Sequence, residues 1–223
     1  MLTAAEAAAL RLSLLVAAGA TLLTFVPALL LAQWLARTQS RLRVCVEAAC
    51  LVPLVLPPVV VGYGLLLLFA ADGPLGLVLA FTTQGAVLAS AVMSFPLLVR
   101  SMRQGFEAVE PRLQEAAQTL GAGRLRVFRT ITWPAARAGV IAGLLLGFTR
   151  SLGEFGATIT FAGNLPGTTR TLPLLVWTAL QTPDGEAVAL RLGIFCAVLA
   201  VAATLAAELL LARERRRRLA GCA

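Results

Sequence analysis

The sequence predicts an all-α polytopic membrane protein of about five transmembrane helices, with its N-terminus outside and its C-terminus inside the cell. Three observations lead there. Of the 223 residues, 59% are hydrophobic and only 13% charged, too apolar for a soluble domain of this length. The apolar residues gather in runs of about 20, the length of helix that crosses a hydrocarbon core of about 30 Å. The basic residues, 19 in number and all arginine, fall on alternate sides of those runs.

The runs lie at residues 12–36, 48–71, 78–99, 138–162 and 189–212. The first is expected to be a span and not a signal peptide: Glu6 and Arg11 precede it, and its apolar stretch is much longer than a signal h-region. The second, LVPLVLPPVVVGYGLLLLF, holds Pro53, Pro57 and Pro58 followed by Gly62 and Gly64. Lost backbone donors predict a kinked helix, either a plain structural kink or one lining a cavity. The stretch 170–182, RTLPLLVWTALQT, is too short to cross and reads as an interfacial or re-entrant helix. Residues 1–223 are read as a single membrane domain without internal repeats.

Orientation follows from arginine placement, because basic loop residues stay in the cytoplasm. Arg37, Arg41 and Arg43 follow the first run; Arg100, Arg103, Arg112, Arg124, Arg126, Arg129 and Arg137 separate the third from the fourth; Arg213 and Arg215 to Arg218 follow the fifth. The opposite loops are poor in arginine: residues 72–77 hold only Asp72, and 163–188 hold Arg170 against Asp184 and Glu186.

Composition also excludes chemistries. Without lysine there is no Walker A phosphate loop and no Schiff base, and without histidine no histidine zinc site or serine–histidine triad. Cys45, Cys50, Cys196 and Cys222 form no metal-ligand spacing. The arginines flank apolar spans without a basic-aromatic module, so membrane topology accounts for them and nucleic acid is not expected. The chain is read as no enzyme, with no cofactor or metal of its own.

Between the third and fourth runs, at about 103–137, lies EAAQTLGAGRLRVFRTITWP. Leu113, Ala116, Ala117 and Leu120 recur at one-face helical spacing, Pro111 suits a first helical turn and Gly121 a left-handed C-cap. A second patterned segment, Arg124 to Trp133, carries Val127, Phe128 and Ile131 on one side, and Pro134 is expected to break it before the fourth span. The unit rests on lipid headgroups or meets a protein partner. Its narrow alanine ridge, and the acidic Glu107, Glu110 and Glu115 that an anionic leaflet would repel, favour a protein groove.

This stretch resembles the EAA coupling loop of ABC importer permeases: Glu-Ala-Ala, three residues, Gly, then about nine residues to an Ile that precedes a Pro. Glu115, Ala116, Ala117, Gly121, Ile131 and Pro134 fit the pattern, and Trp133 replaces the usual Leu. With LPLVLPPVVVGYGLLLLF, AVMSFPLLVRSMR and RSLGEFGATITFAGNLPGTTRTLPLLVWTALQT, the resemblance covers most of residues 50–185 and is nearest to molybdate permeases, with sulfate and tungstate permeases as rivals. It implies a type I ABC importer permease fold in a bacterial or archaeal cytoplasmic (inner) membrane. It further implies a permease homodimer, two ATP-binding subunits that hold ATP and magnesium and dock on Glu115, Ala116, Ala117, Leu120, Gly121, Ile131 and Pro134, and an external oxyanion-binding protein.

The fourth run holds the remaining candidates. Arg150 and Glu154 are spaced to share a helix face, as a structural ion pair or, with Ser151 and Phe155, as part of a pathway or gate. Gly139, Gly143 and Gly147 repeat every four residues, the small-residue pattern of close helix approach, at an internal contact or a dimer interface. Gly153 and Gly156 make SLGEFGA a pliant segment.

Overall fold

The computed structural model describes residues 3–220 apart from Ala70, Asp72, Gly76 and Asp184. The expectations placed on Asp72, Asp184 and Cys222 lie outside the described residues, as do the side chains of Arg213 and Arg215 to Arg218. Among the described residues the regular structure is entirely helical.

The first helix, α1 (Ala4–Arg37), starts eight residues before the first apolar run. A capping box at Thr3 and Glu6 explains the early start: the Glu6 N–H donates to Thr3 Oγ1 and the Thr3 N–H to Glu6 Oε2. Its buried stripe, from Ala9 through Val16, Ala20 and Ala28 to Leu35, is built mostly of small residues. Two later helices, α4 (Thr83–Glu107) and α7 (Trp133–Leu152), pack on α1 and on each other to make the central bundle. The core of its lower half is Ala28, Ala32, Leu35, Leu98, Met102, Phe106, Ala136 and Val140.

The expected second span is two helices. α2 (Leu42–Val55) and α3 (Pro58–Phe69) meet at 106°, broken at Leu56 and Pro57. A single proline would kink a helix, but consecutive prolines remove two donors and hold the preceding residue extended, as Leu56 is with ψ 145°. Counting this pair as one span gives five apolar crossings, and four otherwise.

Pro134 does not end the segment before the fourth span, contrary to the sequence reading. α6 (Arg124–Val127) passes through a π-helical turn at Phe128–Thr132 directly into α7. The turn widens the spiral, with the Trp133 N–H donating to Phe128 O five residues back, and so clears the backbone where the proline ring would otherwise clash. The far end is corrected too: α7 stops at Leu152, and α8 (Gly156–Phe161) begins after a break, so residues 138–162 are not one helix.

The short segment near 170–182 forms α9 (Leu172–Leu180), which packs on α1 and on α10 (Glu186–Ala220). Its buried first turn is satisfied by protein: the Leu172 N–H donates to Ser13 Oγ of α1 at 2.8 Å. A Glu6–Arg191 ion pair joins the starts of α1 and α10.

Candidate functional site

The loop between α4 and α7 carries the first candidate surface. α5 (Pro111–Thr119) has Pro111 in its first turn and closes in a Schellman motif. The Ala122 N–H donates to Ala117 O at 3.0 Å and the Gly121 N–H to Gln118 O at 2.9 Å. Gly121 takes φ +83°, the left-handed conformation that the spacing demanded. The helix buries no residue at all. Leu113 is 55% and Leu120 88% exposed, and Glu115 and Ala116 also face outward.

Further along, the loop turns inward. Val127 is buried, and Phe128 and Ile131 pack against the central core. Ile131 is therefore a root that seats the loop, while Leu120 and Gly121 lie on its free edge. Pro134 is exposed at the start of α7.

The second candidate group sits at the break after α7. Arg150 Nη1 lies 2.6 Å from Glu154 Oε2, and Glu154 Oε1 accepts the Ala157 N–H of α8 at 3.0 Å. One carboxylate thus neutralises a cation on α7 and caps the N-terminal turn of α8, where a negative group is favoured. Only 2% of the Glu154 side chain is exposed, against 27% for Arg150. Arg150 lines a cavity of about 570 Å³ between α1, α4, α7, α9 and α10, shared with Ser13, Thr149 and Cys196. Ser151 is buried nearby, and the Phe155 ring lies 6.3 Å from that of Trp177 on α9. The structure therefore brings Arg150, Ser151, Glu154 and Phe155 to one place, some distance along the chain from the α5 loop.

Within the chain, Gly139, Gly143 and Gly147 of α7 lie against α4. A Cβ on Gly139 would collide with Gly105 backbone, one on Gly143 would come within 3.1 Å of Leu98 O, and one on Gly147 would meet the Leu98 side chain. The Ser101 hydroxyl reinforces the approach by donating to Gly139 O at 3.2 Å.

Sequence reasoning missed Ser13, and it read Gly62 as part of a kinked run and Gly156 as part of a pliant segment without seeing that the two let α3 lie on α8. Ser13 was legible as a hydroxyl at the start of an apolar run; the glycine contact had no local signal. Among the described residues, no three His, Cys, Asp or Glu side chains gather as metal ligands, and Cys45, Cys50 and Cys196 are free.

An all-helical bundle with four to five helices long and apolar enough to cross a membrane, one of them ending at a partly buried ion pair, defines a multi-pass membrane protein. The chain belongs to the binding-protein-dependent transport system inner membrane component family, whose model matches residues 25–216. It is 47% identical over 225 residues to the molybdenum transport system permease protein ModB of Escherichia coli (strain K12), covering 96% of this chain and 98% of that one. The sulfate transport system permease protein CysT of Salmonella typhimurium is 39% identical over 184 residues, 79% of this chain and 66% of the other. In fold, the chain resembles the crystal structure of a bacterial ABC transporter involved in the import of the acidic polysaccharide alginate, with TM-score 0.76 at 18% identity over 95% of this chain and 80% of that one.

Proposed function

We propose that this chain is the permease subunit of an ABC importer that moves molybdate into the cytoplasm by alternating access. The observation that carries the substrate is the 47% identity to a molybdenum permease along nearly the whole of both chains, greater in both identity and coverage than the likeness to the sulfate permease. The arginine asymmetry supports an N-terminus outside and a C-terminus inside a bacterial inner membrane.

In this reading two copies of the chain form the pathway as one membrane domain each. Two ATP-binding subunits, which hold ATP and magnesium, dock on the α5 loop, and an external binding protein delivers the oxyanion. Leu120, Ala116, Ala117 and Glu115 form the docking ridge, Gly121 sets its end, Ile131 seats the loop on the central core, and Pro134 is exposed where the loop enters α7. Closure of the ATPases moves α5, and α4 and α7 follow as rigid bodies. Arg150, Ser151, Glu154 and Phe155 lie in the pathway or its gate, while Gly139, Gly143 and Gly147 hold α7 to α4.

Vesicles containing the complex should accumulate molybdate only with ATP inside the coupled compartment and binding protein on the opposite side. Tungstate and sulfate are added as competitors. Sulfate uptake that exceeds molybdate uptake at equal concentration would overturn the substrate assignment, and uptake without ATP would overturn the energised mechanism.

A further inference from the structure

At the α5 end of α4, four charged side chains link two helices. On α4, Glu107 accepts Arg43 Nη2 at 2.8 Å and Arg103 Nε at 2.7 Å. Arg103 also pairs with Glu47, so Arg43 and Glu47 of α2 are both tied to the last turn of α4. The exposed side chains and water at the rim would make any single pair weak, but a linked network with one shared carboxylate and one shared guanidinium resists such loosening better.

Little else holds this part of α2. It has no buried residue, and Val46 and Cys50 are only partly covered by the core beside α1 and α4. A cavity of about 310 Å³, lined in part by Glu47, Cys50, Arg100 and Arg103, opens where apolar packing would otherwise be expected. The charges are thus the principal fastening between α2 and α4 at this level.

Both ends of the fastening lead somewhere. α4 ends at Glu107 and α5 begins at Pro111, so the network sits one turn from the exposed ridge. α2 leads through the 106° bend into α3, whose Gly62 lies against Ala157 and Thr160 of α8. A Cβ on Gly156 would in turn meet Pro58 at 2.7 Å, and Ala157 is the residue whose N–H Glu154 accepts.

We propose that Arg43, Glu47, Arg103 and Glu107 form a charge clamp that makes α2 travel with the end of α4, carrying displacement of α5 through α3 to α8 and the Arg150–Glu154 pair. They are positioning residues: none touches the transported ion. The inference rests on the importer reading above, since it gives α5 a force to transmit.

The test uses the complete transporter in vesicles, with molybdate as the probe, and reads ATP hydrolysed and molybdate accumulated. R43E/E47R leaves the net charge unchanged but sets like charges against each other across the two helices. Molybdate moved per ATP should fall roughly tenfold while ATP hydrolysis continues. Adding R103E/E107R restores every opposite-charge pairing and should return the ratio to within about twofold. R43Q/E47Q, which removes the attraction without repulsion, should lower the ratio in the same direction and decides the matter if the inverted variant does not assemble. An unchanged ratio in R43Q/E47Q, or a fourfold inversion that assembles without restoring the ratio, would overturn the clamp. Wild-type transporter that takes up no molybdate would instead overturn the importer reading, before any variant is compared.

Discussion

Arg150 Nη1 stands 2.6 Å from Glu154 Oε2 although α7 ends between them, at Leu152. The pair therefore spans a helix break, and the carboxylate belongs as much to α8, whose Ala157 N–H it accepts, as to the arginine. Removing it uncouples two elements and leaves a cation beside a cavity in an apolar setting. Glu154→Ala should destabilise the protein by about 1–3 kcal/mol, the lower end reflecting the partial exposure of Arg150. Glu154→Gln, which keeps an acceptor for Ala157, should lose less. Thermal unfolding in detergent, followed for both variants, checks the order; equal losses would mean that the charge alone matters.

The origin of this arrangement shows where the sequence stopped being sufficient. Apolar runs are a one-dimensional signal, so the places of the apolar helices and the short helix before Gly121 were legible, down to the positive φ of that glycine, but the breaks at Leu56–Pro57 and after Leu152 were not. The spacing of Arg150 and Glu154 also announced a pair, but as a pair within one helix, because Gly153 and Gly156 read as pliancy inside a span and not as its end. Pro134 misled for a related reason. Proline forbids a regular α-helical bond pattern, yet a π turn at Phe128–Thr132 accommodates it without ending the helix, at a cost met by packing of Phe128 and Ile131 on the core. The Gly139, Gly143 and Gly147 repeat established that something approaches closely; only the fold identifies α4 as what approaches.

The GYG stretch makes the same point in a form open to measurement. Gly62 and Gly64 are equivalent in the sequence, two glycines in an apolar helix. In the fold a Cβ on Gly62 would stand 2.6 Å from Ala157 O and 2.9 Å from Thr160 Cβ, whereas nothing lies within 4 Å of one on Gly64. Backbone cannot yield as a flexible side chain can. Gly62→Ala should therefore cost about 1–3 kcal/mol through separation of α3 from α8, while Gly64→Ala should be neutral or stabilising by up to about 1 kcal/mol through helix propensity. Melting temperatures of the two variants should move in opposite directions, or the first alone should move.

The docking proposed for the α5 ridge can be tested separately from folding. Leu120 is 88% exposed and α5 has no buried residue, so Leu120→Asp removes no internal contact. The permease alone should melt as the wild type does, within about 0.5 kcal/mol, as expected for a surface change away from caps and cores. On the proposed docking, its capture of the ATP-binding subunits should nevertheless collapse, because a charge then occupies the ridge that the proposal places in their groove. Gly121 acts through the backbone instead: it has open space around it, but its φ of +83° costs an L-residue about 1–2 kcal/mol. Asparagine tolerates that conformation and a β-branched residue does not, so Gly121→Asn should retain ATPase capture and Gly121→Val should weaken it. Co-purification and ATP hydrolysis by the assembled complex read both effects. Equal capture by Gly121→Asn and Gly121→Val would show that the partner does not require the left-handed end of α5, and normal capture by Leu120→Asp would place the docking surface elsewhere.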